Sequence, residues 1–204
     1  MDGRLQGKTA IVTGSTKGIG LGIARAYVRE GARVIVNSRN AADCARTARE
    51  LGPAAVPIAA DLSLTDEVRR LAREARQAFA GRVDILVIHV SSMNGTVPFP
   101  HRLAYCVSKA GLNMMTKVMA IEWAVRGVRV NAIAPGYVET EFITSLSATG
   151  ILDRDKLARR TPMGRIGTPE KIGEVAVFLA SPASSFITGE ILTADGGWSA
   201  YGDL

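Results

Sequence analysis

The fold is indicated most strongly by the stretch Lys8-Thr9-Ala10-Ile11-Val12-Thr13-Gly14-Ser15-Thr16-Lys17-Gly18-Ile19-Gly20. A short run with β-branched residues enters a turn that holds three glycines, and an amphipathic segment from about Ile19 to Glu30 follows and is closed by Gly31. This order of strand, glycine turn and helix suits the pyrophosphate of a nucleotide, because glycines admit a close backbone approach and the helix N-terminus offers free N–H groups.

Strand and helix patterns continue to alternate after this unit. Strands are predicted at residues 32–37, 54–60, 84–90, 128–134 and 190–194, and helices at residues 41–51, 66–79, 105–126 and from residue 169. This alternation predicts an α/β fold with a parallel, doubly wound sheet that binds ligands at the carboxyl ends of its strands. With 204 residues and 47% hydrophobic composition, residues 1–204 are predicted to form a single domain.

The chain carries a formal net charge of +6, which raises the question of a nucleic-acid partner. Lysines and arginines are scattered among acids, as in residues 69–76, and no basic stripe is interleaved with aromatics. We therefore interpret the charge as that of solvated helix faces and expect no nucleic-acid partner.

The cysteines and the N-terminus bear on the compartment. Cys44 and Cys106 have no metal-ligand spacing, residues 1–5 lack a signal-peptide core, and no apolar run approaches the roughly 18 residues of a membrane span. We expect a soluble cytoplasmic protein with reduced thiols, no metal and no membrane partner.

The end of the second predicted strand bears on which dinucleotide binds. A carboxylate there accepts hydrogen bonds from a ribose 2′-hydroxyl, whereas a cation accommodates a 2′-phosphate. The sequence reads Asn37-Ser38-Arg39-Asn40, without an acid, so Arg39 with Lys17 favours NADP, unless Arg39 is an ordinary exposed loop residue. Asp61 ends the third strand and either binds the adenine edge or belongs to a helix-capping turn.

Tyr105 and Lys109 begin a long, helix-periodic apolar run. Residues four apart share one helix face, so the ammonium lies near the phenol and stabilises its phenolate. Tyr105 is therefore a candidate proton donor and acceptor. Taken alone, the pair is more typical of a surface tyrosine beside a solvated lysine.

Motifs in several parts of the chain together resemble the short-chain dehydrogenase/reductase family. They run in family order over almost the whole chain, and Ser92 lies thirteen positions before Tyr105, the family's usual spacing for its catalytic serine. The matching pieces are Thr13-Gly14 with Gly18-Ile19-Gly20, Asp61, Ser92, Tyr105 with Lys109, residues 131–136 and residues 187–197. The resemblance implies a Rossmann-like sheet with helices on both faces.

The resemblance also implies an NADP-dependent oxidoreductase, with NAD the less favoured cofactor, that transfers a hydride between nicotinamide and a small carbonyl or secondary alcohol. Tyr105 would give or take the proton on oxygen, Lys109 would stabilise the phenolate and hold the nicotinamide ribose, and Ser92 would polarise the substrate oxygen. The residues it assigns to cofactor binding are Gly14, Ser15, Thr16, Lys17, Gly18, Ile19, Gly20, Ser38, Arg39, Asp61, Leu62, Tyr105, Lys109, Pro135, Gly136, Val138 and Thr140.

One part of the family pattern is missing. Family members carry an Asn-Asn-Ala-Gly turn after the fourth strand, then a helix with a catalytic asparagine and a fifth strand, whereas here residues 83–87 pass directly into residues 88–92. The loss amounts to roughly one strand-helix unit of about 30 or more residues. The sheet is therefore predicted to be one strand short, with a fused strand at residues 84–90 beside the first strand.

The missing unit has two further consequences. No residue is assigned to the role of the lost asparagine, since Asn94 is interpreted as a turn residue and Asn113 as a helix-surface residue. The helix at 105–126 loses a neighbour, so Met114, Met115 and Met119 are predicted to face solvent. An alternative stays open, in which the chain is a catalytically impaired or inactive nucleotide-binding or interaction protein of the same fold.

By the resemblance, residues 141–163 form the substrate-covering loop and short helices, where specificity resides. Candidates to line that pocket are Met93, Phe99, His101 and Tyr137. Near the C-terminus, Trp198 and Tyr201 are predicted to pack across a subunit contact that does not need the missing helix. A homodimer is therefore expected rather than the tetramer common in the family.

Overall fold

The computed structural model describes residues 3–84 and 87–201. Contacts divide these residues into two units: the first takes in residues 3–84 with Pro169–Pro182, and the second takes in Val87–Thr168 with residues 183–201. The single domain expected for residues 1–204 stays a prediction.

Strands and helices alternate along the chain as the sequence predicts. The strands are β1 (Thr9–Val12), β2 (Arg33–Val36), β3 (Ala55–Pro57), β4 (Val87–Val90), β5 (Val130–Pro135) and β6 (Ile191–Ala194). The α-helices are α1 (Gly18–Arg29), α2 (Ala41–Leu51), α3 (Thr65–Ala78), α4 (Leu103–Ala124), α5 (Glu141–Ala148), α6 (Arg154–Arg160) and α7 (Pro169–Ala180). All strand pairs are parallel, so the α/β, Rossmann-like prediction is confirmed.

The sheet of the first unit has the order β1-β2-β3. β3 is shorter than the predicted strand at residues 54–60, although the N–H groups of Ile58 and Ala60 still donate to carbonyls at the end of β2 and just beyond it. Pro57, which has no N–H, is tolerated because β3 is an edge strand of this sheet. An apolar cluster packs α3 against the sheet through Ile35, Ile58, Ala60, Leu71, Ala75 and Phe79.

Helices α1 and α7 of the first unit touch through two glycines. A Cβ at Gly22 would lie 2.5 Å from the carbonyl oxygen of Pro169, and one at Gly173 would lie 2.7 Å from the carbonyl oxygen of Gly22. The two backbones approach this closely because neither glycine carries a side chain. Arg4 and Arg29 both pair with Glu174 and add an electrostatic link to α7.

The sheet of the second unit has the order β4-β5-β6, with β5 buried along its whole length. Of the predicted fused strand at residues 84–90, the structure describes Asp84 and Val87–Val90, and its position beside the first strand stays a prediction. Asp84 donates its N–H to Thr9 in the first unit, whereas Val87–Val90 pairs with β5, and residues 85 and 86 lie outside the described residues. The pairing with β5 continues to Ser91, whose N–H donates to Ile133 at 2.7 Å.

Helix α4 buries two polar side chains and exposes a stripe of apolar ones. Its buried residues are Asn113, Thr116 and Ala120. Its exposed face is a stripe of apolar side chains, Leu103, Val107, Met114, Val118 and Ile121. As predicted, Met114 and Met115 face solvent, at 60% and 45% exposure, while Met119 is half-buried. The loss of a neighbouring helix predicts this pattern.

None of the helices in the two described ranges is both long and apolar enough to cross a membrane.

Candidate functional site

The glycine turn of the first unit follows β1 and begins α1. Gly14 and Gly18 have φ angles of 62° and 56°, in the left-handed region that favours glycine. A Cβ at Gly20 would lie 2.3 Å from the carbonyl oxygen of Gly14, so the helix can begin against the turn only without that side chain. The first turn of α1, with Ile19, is therefore held close to the end of β1.

Ser15 shapes this turn from inside. Its hydroxyl donates to the carbonyl oxygen of Val12 at 2.6 Å and accepts from the N–H of Asn37 at 3.0 Å. The amide of Asn37 in turn donates to Ile58 at 3.0 Å. Since Ser15 is fully buried, its side chain fixes the ends of the strands, and its predicted contact with a cofactor stays a prediction.

A cavity of about 450 Å³ opens at the carboxyl ends of these strands, a size typical of small-molecule sites. Seven residues predicted from the sequence line it: Gly14, Thr16, Lys17, Ser38, Arg39, Asp61 and Leu62. Five more were not assigned to cofactor binding: Asn37, Asn40, Asp43, Ala60 and Ser63. Asn40 caps α2, because its Oδ1 accepts from the N–H of Asp43 at 3.0 Å, and an Asn-x-x-Asp pattern after a strand is a signal that would have found it.

The charges at this cavity are of both signs. Lys17 and Arg39 are exposed cations. Asp61 accepts from the N–H and the hydroxyl of Ser63 at 3.0 and 2.8 Å, and these bonds, with a smaller effect of Arg39, hold the pKa of its carboxyl below the usual range. Asp61 thus forms a tight turn while also lining the cavity. Asp43 is paired with Arg46 at 2.7 Å.

The second unit holds the predicted catalytic residues. Ser92 follows β4 and caps a short 3-10 helix, Met93–Gly95; its buried Oγ accepts from the N–H of Asn94 at 3.2 Å. Tyr105 lies in the first turn of α4 and is 43% exposed. Lys109 lies one turn further, with its Nζ 5.7 Å from the centre of the Tyr105 ring and donating to the carbonyl oxygen of Val90 at 3.0 Å.

A row of buried and half-buried polar contacts joins the end of β4 to the same face of α4. Ser91 donates from its hydroxyl to Oδ1 of Asn113 at 2.5 Å. The hydroxyl of Thr116 donates to the carbonyl oxygen of Leu112. Because its proton is used there, its Oγ1 accepts from Nδ1 of His89 at 2.7 Å, and the proton of a neutral imidazole therefore lies on Nδ1. Burial lowers the pKa of His89.

The prediction that Asn113 is a helix-surface residue is wrong, because only 7% of it is exposed. Its Nδ2 has no hydrogen-bond partner among the described residues. Asn94, interpreted as a turn residue, does lie in a turn, but it is buried as well. The signal for Asn113 was its spacing of four from Lys109, which puts both residues on one face of α4.

The other predicted cofactor residues of this unit follow β5. Pro135 ends the strand, and Gly136 touches Asp195, since a Cβ at that glycine would lie 2.8 Å from the Asp195 Cα. Val138 is buried, and Thr140 caps α5 by accepting from the N–H of Ile143 at 3.3 Å. These residues shape the loop at the carboxyl end of β5.

The pocket candidates separate in the structure. Phe99 and Tyr137 line a second cavity, of about 430 Å³, together with Trp198. Met93 is buried, and His101 is exposed with a φ angle of 60°. Trp198 was predicted to pack across a subunit contact; it is instead buried within its own unit, because Phe99 and Tyr137 cover its ring.

Comparison with family models gives two matches. The model described as "short chain dehydrogenase" matches residues 8–89, and the model described as "Enoyl-(Acyl carrier protein) reductase" matches residues 87–199. The two matches meet at residues 87–89, next to the point where the sequence predicts the missing unit.

Individual relatives cover nearly the whole chain. A galactitol 2-dehydrogenase (L-tagatose-forming) of Cereibacter sphaeroides is 37% identical over 248 residues, covering 97% of each chain. The 3beta-hydroxysteroid dehydrogenase 1 of Eggerthella lenta is 34% identical over 254 residues, covering 97% of this chain and 95% of the relative. Both alignments are longer than the 204 residues of this chain, so both relatives carry segments that it lacks.

The fold has close counterparts among solved structures. A short-chain type dehydrogenase/reductase from Mycobacterium marinum matches with a TM-score of 0.87 at 28% identity, covering 97% of each chain.

Proposed function

The chain belongs to the short-chain dehydrogenase/reductase family of NAD(P)-dependent oxidoreductases, and we propose that it transfers a hydride between NADP and a small carbonyl or secondary alcohol substrate. The observation that carries this proposal is the pair Tyr105 and Lys109 on one face of α4, with Ser92 in the same unit. We further propose that the enzyme acts as a cytoplasmic homodimer; its two cysteines are free thiols.

The contacts of each catalytic side chain support its role. Lys109 donates to a backbone carbonyl, and in the described chain it forms no ion pair with an acid, so its charge stays available to stabilise the Tyr105 phenolate. Tyr105 is exposed enough to reach a substrate oxygen and exchange a proton with it. The Ser92 hydroxyl accepts from the N–H of Asn94 at 3.2 Å and donates to Oδ1 of the same residue at 3.4 Å, a long hydrogen bond that a substrate oxygen can replace as acceptor.

The residues of the first-unit cavity fit a dinucleotide with a 2′-phosphate. The glycine turn offers backbone N–H groups to phosphate, and Arg39 and Lys17 supply positive charge at the end of β2. Asp43 is the acid nearest to Arg39 in the sequence. It is paired with Arg46, so it repels a bound phosphate less than a free carboxylate would. When bound, the nicotinamide supplies or accepts the hydride.

The named activities of two relatives support the substrate class. One is a galactitol 2-dehydrogenase and the other a 3beta-hydroxysteroid dehydrogenase, and both names denote oxidation of a secondary alcohol on very different carbon frameworks. We therefore propose a secondary alcohol, or the corresponding ketone, as the reacting group.

Turnover of a ketone panel with NADPH tests the activity. Tyr105→Phe removes only the phenolic oxygen, and we expect kcat to fall by about 100-fold or more, the usual share of general acid–base catalysis, while NADPH still binds. Full turnover by this variant would show that Tyr105 is not the acid/base. A folded wild-type protein that binds NADPH and turns over no ketone or alcohol would favour the non-catalytic alternative.

Titration with NADPH and NADH tests the cofactor preference. Arg39→Asp replaces the cation at the end of β2 by a carboxylate, and we expect the Kd for NADPH to rise about tenfold or more, while NADH binds no worse. Arg73→Asp, an exposed arginine of α3 outside the cavity, is the matched control. An unchanged preference in Arg39→Asp would exclude Arg39 as the selecting residue.

A further inference from the structure

The second cavity, of about 430 Å³, has no part in the proton and hydride chemistry proposed above. Three aromatic residues, Phe99, Tyr137 and Trp198, form part of its wall, and three cations of α6, Lys156, Arg159 and Arg160, form another part. No acidic residue lines it. A cavity with an apolar face and a positive face favours a ligand that carries an apolar part and an anionic group.

The aromatic wall is already assembled. The ring centres of Tyr137 and Trp198 lie 5.0 Å apart with the planes tilted by 60°, and those of Phe99 and Trp198 lie 6.2 Å apart in a stacked arrangement. Trp198 is only 7% exposed, so these contacts fix its orientation. A preformed aromatic wall favours a flat apolar ring, because no side chain has to be ordered on binding.

The cationic wall is partly fixed and partly free. The guanidinium of Arg160 lies 4.7 Å from the Trp198 ring centre, and its Nη2 donates to the carbonyl oxygen of Tyr201 at 2.8 Å. Lys156 and Arg159 are exposed and form no ion pair within the described part of the chain; the ion pair of α6 is that of Arg154 with Glu139. Their uncompensated charges favour an anion, and arginine suits a carboxylate through paired N–H donors.

The cavity lies on the same edge of the second unit's sheet as Ser92. Val90 of β4 pairs with Ile133 of β5, so Ser92 and Pro135 each lie two residues beyond a paired position. Pro135 pairs with Ala194 of β6. Tyr137 and Trp198 are reached shortly after the ends of β5 and β6, so the aromatic wall and the catalytic serine share the carboxyl edge of this sheet.

We propose that this cavity binds a carboxylate-bearing ring and that the substrate is an aromatic or alicyclic ketone or alcohol with a carboxylate remote from the reacting carbon. This inference rests on the proposed oxidoreductase function. The ring packs on the aromatic wall, the carboxylate is held by Arg159 and Lys156, and the carbonyl or hydroxyl group is directed towards Ser92 and Tyr105.

The test compares 4-acetylbenzoate with its neutral methyl ester as substrates with NADPH. We expect kcat/KM to be about tenfold or more higher for the acid, the size of effect given by hydrogen bonds to a charged group. In Arg159→Gln and Lys156→Gln we expect the acid to lose about tenfold in kcat/KM and the ester to change little. Arg126→Gln, an exposed arginine outside the cavity, is the matched control and should keep the preference of the wild type.

Calorimetric titration of 4-acetylbenzoate separates this inference from the proposed function. If 4-acetylbenzoate binds, Arg159→Gln weakens that binding and no ketone is turned over, the carboxylate site is supported and the oxidoreductase activity is overturned. Equal turnover of acid and ester in all variants would keep the activity and overturn the carboxylate site.

Discussion

Ser91, rather than the adjacent Ser92 that we propose as catalytic, holds the buried amide of Asn113. The hydroxyl of Ser91 donates to Oδ1 of Asn113 at 2.5 Å, and the Nδ2 of that amide has no partner in the described chain. Only 7% of Asn113 is exposed, and its one hydrogen bond in the described chain satisfies the amide oxygen but not the amide nitrogen. Ser91 is thus a structural contact between the end of β4 and α4.

Ser91→Ala removes the hydroxyl that donates to Oδ1 of Asn113. We expect the free energy of unfolding to fall by about 1–3 kcal/mol, because a buried acceptor then has no donor. Urea unfolding measures the change. Ser185→Ala, at an exposed serine of the same unit, should stay within about 0.5 kcal/mol of the wild type. Equal stability of Ser91→Ala and the wild type would show that the amide finds another donor.

At the scale of elements, the 3-10 turn after β4 touches α4 at a glycine. A Cβ at Gly95 would lie 2.6 Å from Nδ2 of Asn113 and 3.0 Å from the carbonyl oxygen of Lys109. The turn that carries Ser92 and the helix that carries Lys109 can therefore meet only at a residue without a side chain.

Gly95→Ala is expected to force these two elements apart. Overpacking of this kind costs about 1–3 kcal/mol of stability, and we expect kcat to fall as well, because Ser92 and Lys109 are displaced. Gly111→Ala is the matched control: it lies in α4 with nothing within 4 Å of its Cβ position, so it should stabilise the helix by about 0.5–1 kcal/mol. Thermal unfolding and turnover of both variants measure the difference. A Gly95→Ala variant as stable and active as Gly111→Ala would contradict the close contact.

The packing of β4 on α4 also makes stability depend on pH. Burial lowers the pKa of His89 below its ordinary value of about 6.5. As the pH falls through about 6.5, His89 takes up a proton in the unfolded chain but not yet in the folded chain, where its pKa is lower. The unfolded state then binds more protons, so the free energy of unfolding decreases as the pH is lowered.

We expect the wild type to lose more stability than His89→Gln when the pH is lowered from about 7.5 to about 5.5, because the glutamine cannot titrate in that window. Urea unfolding at the two pH values measures this loss. His101→Gln, at the exposed histidine, should retain the pH dependence of the wild type. An identical pH dependence in His89→Gln would contradict the lowered pKa of the half-buried His89.

At the scale of the whole molecule, the apolar stripe of α4 bears on assembly. Ile121 is 77% exposed and Val107 is 61% exposed, and they belong to one face of a single helix. Monomeric proteins rarely expose an apolar patch larger than a few hundred Å² (about 300–600 Å²), so we expect the proposed homodimer to bury this face.

Sedimentation equilibrium measures the assembly directly. We expect a mass of twice 21.6 kDa for the wild type and a shift towards 21.6 kDa for Ile121→Glu, because a carboxylate would be buried without a partner. Phe186→Glu, at a fully exposed residue outside α4, should leave the mass unchanged. A monomeric wild type would contradict the homodimer.

Most of the fold was predictable from the chain alone. The helix at Ala41–Leu51 has the predicted bounds, and α7 begins at the predicted Pro169, because caps and proline act through neighbouring residues. Two residues that line the cavity at the glycine turn, Arg39 and Asp61, were predictable because they follow the ends of the second and third strands. The contribution of Asn40 was missed, although its capping pattern is local.

The sequence by itself determined the order of strands and helices, the glycine turn and the spacing that puts Tyr105 and Lys109 on one helix face. These features depend on residues at most a few positions apart, so the periodicities of helix and strand suffice to predict them. The tertiary structure alone decided that Val87–Val90 pairs with β5 and that Asn113 is buried against Ser91, 22 residues away. Such contacts join distant segments, and removing a unit between two strands changes which segments meet without changing any local pattern.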